Sequence, residues 1–168
     1  CSIYDPHQKN TSYTLHKLRM EDLARTSKNY AIFRLPQIVS HSDNCSTLTN
    51  FIYRKISAKE SFSVWENAKR NIIDIDDCKK VVFYVVTKML QNKNNNLEFN
   101  AASPNMTSVI DLVNIFEKVL GIAACAETKS IGNSYSIRTD ITDDLAKKLT
   151  IDFNANYEER IIRKYYGK

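Results

Sequence analysis

Glycine is scarce in this sequence, three residues in 168. No G-x-G-x-x-G can be assembled from them, so the chain holds no glycine-rich loop of the kind that cradles a dinucleotide pyrophosphate at a helix N-terminus. No C-x-x-C is present either. The four cysteines, Cys1, Cys45, Cys78 and Cys125, stand far apart, which excludes a zinc ribbon or redox motif and suits reduced thiols of a cytoplasmic protein. His7, His16 and His41 add no ligand pattern. No apolar run approaches the ~18 residues of a membrane span, and no signal peptide is expected in the first residues given. The chain starts on Cys1 rather than Met, so the expectation is a processed chain, a cloned fragment, or one that lacks its beginning. Charge of one sign is never massed. The net charge of +5 is spread among Asp and Glu, which argues against a nucleic-acid binder and for a site that takes an anionic small molecule.

The composition that remains, 43% hydrophobic and 26% charged, is that of an ordinary globular domain with a real core. Short apolar runs alternate with helical periodicity. Ser2-Ile3-Tyr4 reads as the end of a strand stopped by Asp5-Pro6. Ser12 reads as the cap of a helix to about Lys28, and Tyr30 to Leu35 as a strand ended by Pro36, with a loop after it. A helix is expected over 46–57, strands at 62–65 and 71–73, and a helix from Asp76 to about Leu90. That last helix stands against the β-branched run Val81-Val-Phe-Tyr-Val-Val86, because length and an acidic first turn favour it. A polar turn at 93–96, a strand at 97–99, a helix capped by Thr107 and stopped by Gly121, extended pieces over 122–139, a short helix capped by Thr142 and a last helix from about Asn154 complete an α/β order.

The stretch with chemistry in it is Ser12-Tyr-Thr-Leu-His-Lys-Leu-Arg-Met-Glu21. Tyr13 and Lys17 are four apart and share one helix face. An ammonium within about 4–6 Å favours a phenolate, and a tyrosine so tuned can exchange a proton with a substrate hydroxyl or carbonyl. The spacing is not specific. Nine tyrosines among many lysines give one such pair by chance, and Tyr84 with Lys88 is a second, which reads as a core aromatic beside a surface lysine.

The surrounding motifs select the first pair. In order, Ser2-Ile-Tyr4, Tyr13-x-x-x-Lys17-Leu18-x-x-Glu21, Arg34-Leu-Pro-Gln-Ile-Val39, Arg70-Asn-Ile-Ile-Asp-Ile-Asp-Asp77, Phe99-Asn-Ala and Asp140-Ile-Thr142 resemble the second half of extended short-chain dehydrogenase/reductases, the NAD-dependent epimerase/dehydratase family. The resemblance implies the C-terminal portion of a Rossmann-type fold, with remnant parallel-sheet strands and a smaller α/β substrate-binding domain. Residues 1–41 would be the remnant of the NAD(P)-binding domain and 42–168 the nucleotide-sugar-binding domain, with 97–120 returning to the main sheet.

It implies further that Tyr13 is the acid/base of hydride chemistry at a sugar carbon. Lys17 would hold the nicotinamide ribose, and Leu35 and Pro36 would face the nicotinamide of NAD or NADP. Gln37 would contact the sugar in place of a usual Asn. Thr47 and Leu48 would hold the nucleotide through backbone groups, with Trp65 beside its base. Arg70 would bind the pyrophosphate, with Lys129, or its rival Arg138, as a second cation. The family's catalytic Ser/Thr would fall upstream of Cys1, with Ser2 as a possible substitute. Cys1-Ser2 at the positions of a dehydratase Asp-Glu leaves an epimerase or a reductase. Asp74 stands where His or Tyr is common. The expected partners are a nucleotide sugar and a second copy of the chain, paired through the Tyr13/Lys17 helix. By itself the segment is expected neither to hold NAD tightly nor to turn over substrate. The alternative is a non-catalytic nucleotide- or protein-binding module without a cofactor domain.

Overall fold

The computed structural model describes residues 2–5, 7–91 and 96–167. After a 3-10 turn at Ser2–Tyr4 come α1 (Ser12–Arg25), β1 (Tyr30–Arg34), β2 (Gln37–Val39), α2 (Leu48–Ser57), β3 (Phe62–Trp65), β4 (Lys69–Arg70), β5 (Ile72–Asp74) and α3 (Ile75–Gln91). Then follow β6 (Asn96–Asn100), β7 (Thr107–Ser108), α4 (Val109–Leu120), β8 (Ala126–Lys129), α5 (Asp140–Leu149) and α6 (Tyr157–Tyr166). The strands form two-stranded ribbons. β1 pairs with β6, β2 with β5 and β3 with β8, all parallel; β4 and β7 are antiparallel.

Two apolar clusters hold these pieces. The larger brings α2, α4 and α6 against β2, β3 and β5, with Ile52, Ile56, Ile72, Leu112, Phe116, Tyr157 and Ile162 sealed inside. α4 shows why. Val109, Leu112, Val113 and Phe116 follow the helical repeat and are its buried residues. Ser108 caps the helix by accepting from Asp111 N–H at 2.9 Å, and Gly121 ends it at φ +67°, where glycine is the cheapest residue. The smaller cluster packs Val81 and Val85 of α3 onto Phe99, Leu145, Ala146 and Ile151. In α3 the helical repeat overrides β-propensity: Cys78, Val81 and Val85 are buried, while Phe83 and Leu90 on other faces are 75% and 83% exposed.

Several expectations need correction. Ser2–Tyr4 is a turn, not a strand end, because the described residues give it no strand to pair with and Asp5 folds the chain back, its carboxylate accepting from His7 N–H at 3.0 Å. Thr11, not Ser12, caps α1; its hydroxyl oxygen accepts from Thr14 N–H, and the helix stops at Arg25. The loop expected after Pro36 contains β2, since Gln37 N–H finds the carbonyl of Asn71. Ser108 rather than Thr107 caps α4. Thr142 lies inside α5, where its hydroxyl donates to the Asn100 carbonyl instead of capping. The polar turn expected at 93–96 falls on residues outside the described part up to 95, and Asn96 already belongs to β6. Tyr84 packs against the smaller cluster while Lys88 is exposed, as a core aromatic and a surface lysine.

Candidate functional site

α1 lies on β1 with Thr14 fully buried, which turns the flank bearing Tyr13 and Lys17 outward. Tyr13 is 62% exposed, and the Lys17 ammonium sits 5.4 Å from its ring centroid. Both line a groove of about 540 Å³. Its floor is the run Ala31 to Gln37, seven consecutive residues, so the groove follows an edge of β1 and the chain beyond it rather than one face. Arg70 and Tyr135 form the far wall.

What fixes α1 there is a chain of charges. Arg34, at the end of β1, donates from Nε and Nη2 to both oxygens of Glu21, at 2.9 and 2.7 Å. Arg25 donates to both oxygens of Glu98 on β6, at 2.7 and 2.8 Å, and to Glu21 at 3.0 Å. The Arg34 hydrogen bond, working against burial, holds the Glu21 carboxyl below its ordinary value, and the Arg25 hydrogen bond does the same for Glu98. A carboxyl depressed in the folded state stabilises above its unfolded pKa, and that contribution disappears as pH falls through the folded value. The docking of α1 is therefore expected to loosen below about pH 4. Amide exchange in α1 should accelerate there ahead of exchange in α4; equal acceleration in both helices would contradict it.

Arg70 is the second anchor. Its Nη1 donates to the carbonyls of Lys69 and Asn133, at 2.8 and 3.1 Å, which holds the guanidinium 5.9 Å from the Tyr135 ring centroid. Burial pushes the Tyr135 phenol up, against the pull of Arg70. Arg70 also lines a second cavity, of about 320 Å³, which is apolar: Leu48, Phe51, Ile52, Val64, Trp65 and Val109 form most of it. Leu48 opens α2 and Trp65 ends β3, 47% exposed.

The first groove thus brings together Tyr13, Lys17, Leu35, Pro36, Gln37 and Arg70, and the second holds Leu48, Trp65 and Arg70. Two expected residues lie outside both. Thr47 is the N-cap residue of α2, and its hydroxyl donates to the Asn44 carbonyl at 3.4 Å. Lys129 stands on exposed β8 opposite Trp65. Arg138 is held by Asp140 at 2.7 Å and borders a different cleft. The side chain of Ser2 lies outside the described part. Sequence reasoning missed Tyr135, which sits in irregular chain with no periodic signal, and the pairing of Glu21 with Arg34. Both members of that pair belong to quoted motifs, but only packing places them together.

Asp74 is buried and works as a joint for α6. Its carboxylate accepts from the Lys164 ammonium and from the Tyr165 hydroxyl, each at 2.7 Å, and from Asp76 N–H at 2.8 Å. Burial pushes the Tyr165 phenol up to about 12. Lys164 is held well above its ordinary value: burial opposes this, and the hydrogen bonds to Asp74 and Asp76 outweigh it.

No family profile matches the sequence, and no curated protein matches it significantly. Solved structures do match. A UDP-galactose 4-epimerase superposes with a TM-score of 0.68 at 14% identity, over 92% of this chain and 51% of its own. The UDP-glucuronic acid 4-epimerase from Bacillus cereus in complex with NAD gives 0.67 at 15%, over 92% and 49%. The Bordetella bronchiseptica enzyme WbmG in complex with NAD and UDP gives 0.68 at 12%, over 90% and 48%. At such identities the likeness is one of fold: mixed α/β with short parallel strand pairs, corresponding to part of the Rossmann-type architecture of those proteins. The chain spans about half the length of the structures it matches. Among the described residues no helix is long and apolar enough to cross a membrane.

Proposed function

We propose that this chain is the substrate-binding half of an NAD-dependent nucleotide-sugar epimerase or reductase. One observation carries the reading. Tyr13 and Lys17 line one part of a groove whose wall ends in Arg70, and the same Arg70 opens onto an apolar cavity flanked by Trp65. A sugar, a pyrophosphate and a base need that succession of environments: a proton-transfer group, a planar cation, then an apolar slot with an aromatic wall.

The residues present fit one end of the dinucleotide and not the other. Leu35 and Pro36 give an apolar floor beside the Tyr13 hydroxyl and the Lys17 ammonium, which suits a nicotinamide and its ribose. None of the three glycines makes a strand-to-helix phosphate turn: Gly121 and Gly167 follow helices, and Gly132 lies against Ala68 and Trp65. The remainder of the cofactor is assigned to polypeptide outside this chain. NAD, when bound, supplies the hydride acceptor. Tyr13 takes or returns the proton at the reacting sugar oxygen, Lys17 holds the ribose, Gln37 orients the sugar and Arg70 neutralises the pyrophosphate. Leu48 and Trp65 flank the base. Lys129 drops out of this account on its placement, and Thr47, next to Leu48 at the start of α2, is left with its backbone groups alone. A homodimer through α1 belongs to the same reading, supported by the exposure of Leu15, Met20 and Leu23.

Calorimetry of residues 1–168 with UDP tests the nucleotide end without any cofactor. Charge-assisted hydrogen bonds contribute about 1.5–3 kcal/mol each, so Arg70→Ala should weaken UDP about 10- to 100-fold. Equal affinity in both proteins would remove Arg70 from the site. The lack of a glycine-rich loop favours a second reading, a binding module without catalysis. In that case UDP binds as above, and no longer polypeptide containing this chain turns over a nucleotide sugar.

A further inference from the structure

Lys17 and Glu21 stand one turn apart on α1, the spacing at which helical lysine and glutamate pair. They do not pair here. Among the described residues no hydrogen bond or ion pair reaches the Lys17 ammonium, and its contact is the Tyr13 ring, 5.4 Å to the centroid. The Glu21 carboxylate is meanwhile engaged on both oxygens. Arg34 holds both of its oxygens and Arg25 adds a third N–H. Arg34 in turn is braced from other elements, by the Tyr4 hydroxyl at 3.3 Å and by Glu98 at 3.5 Å. The side chain of Glu21 is 11% exposed, whereas Lys17 reaches into solvent.

We propose that Arg34 is a positioning residue for the Tyr13/Lys17 pair: it occupies the carboxylate that would otherwise capture the Lys17 ammonium and draw it away from Tyr13. The competition favours Arg34 for physical reasons. A guanidinium fork covers two carboxylate oxygens at once, and this one is already fixed at the end of a paired strand. A lysine on an exposed helix face offers one point charge and gives up side-chain freedom to make the bond. With Arg34 in place, Glu21 serves the docking of α1 and Lys17 remains available to the groove. Without it, Arg25 still holds one carboxylate oxygen, and the other is left open to the cation one turn back on the same helix face, Lys17.

The consequence for turnover rests on the roles proposed for Tyr13 and Lys17, but the pairing itself is read without turnover. The charged groups around Glu21 are Lys17, Asp22 and Arg25 on α1, Arg34 on β1 and Glu98 on β6, with the Tyr4 phenol beyond Arg34. The experiment follows the Glu21 side-chain carboxyl by carbon-13 NMR from pH 7 to 2 in residues 1–168. In the unmutated chain, Lys17→Met should leave the Glu21 midpoint in place. In the Arg34→Met background, the same change should raise that midpoint by about half a pH unit, the worth of one neighbouring cation in water. Where Arg34→Met does not fold, Arg34→Lys carries the second arm, with a smaller rise in the same direction. A rise of that size on Lys17→Met in the otherwise unmutated chain overturns the proposal, because Glu21 would then already hold Lys17. So does its absence once Arg34 is replaced. Failure of the catalytic reading would show instead as turnover indifferent to Tyr13, with these titrations unchanged.

Discussion

Replacing Tyr13 by Phe is expected to lower turnover of a nucleotide sugar about 100- to 10,000-fold in polypeptide that carries this chain together with its dinucleotide-binding half, the range typical of losing a positioned acid/base. The variant should melt as the parent does. Tyr13 is 62% exposed, and its hydroxyl makes no hydrogen bond among the described residues, so removing one oxygen costs the fold nothing. UDP affinity should also be unchanged, since Arg70 and the cavity with Trp65 are untouched. A loss in kcat with KM preserved is the signature of a group that acts in the transition state. An unchanged rate would remove Tyr13 from the chemistry, and with it the enzyme reading.

The largest expected loss of stability from a single polar substitution lies elsewhere, where α6 meets β5. Lys164→Met strips the cation from Asp74, whose side chain is 8% exposed while that of Lys164 is 42% exposed. The asymmetry decides the outcome. Taking away the carboxylate would leave a lysine that water can solvate. Taking away the lysine leaves a buried charge with an oxygen unpaired, the case in which breaking an ion pair is most destabilising. With the exposure of Lys164 discounting the upper end, a cost of about 2–3 kcal/mol is expected, a fall in Tm of about 6–10 °C for a chain of this size. Adding Asp74→Asn to Lys164→Met should recover part of that fall, because the double variant no longer buries an unpaired charge. A double variant less stable than Lys164→Met alone would show that the pair does not work this way.

Much of this was legible before any coordinates. The helix over Asp76 to Leu90 follows from periodicity against propensity, and it forms because Val81 and Val85 meet Phe99 and Leu145. Gly121 marks a helix end by its own backbone chemistry. That Tyr13 and Lys17 share a face follows from four residues of spacing. Other features had no local signal. β2 exists because Asn71 offers a carbonyl to Gln37, 34 residues earlier. Thr47 and Lys129 stood at plausible positions in sequence and are not among the residues that line either cavity. Tyr135 lies in irregular chain and still lines the groove.

The sequence by itself determined where helices form, the α/β order and the shared face of Tyr13 and Lys17, because each of these is settled by interactions within about one helical turn or a few strand residues. Tertiary structure alone decided which Tyr/Lys pair borders a groove, that Arg70 joins two cavities, that Glu21 belongs to Arg34, and that Asp74 takes its cation from α6, 90 residues away. A charge finds its partner through the packing of whole elements, and no short window of sequence contains both halves of such a pair.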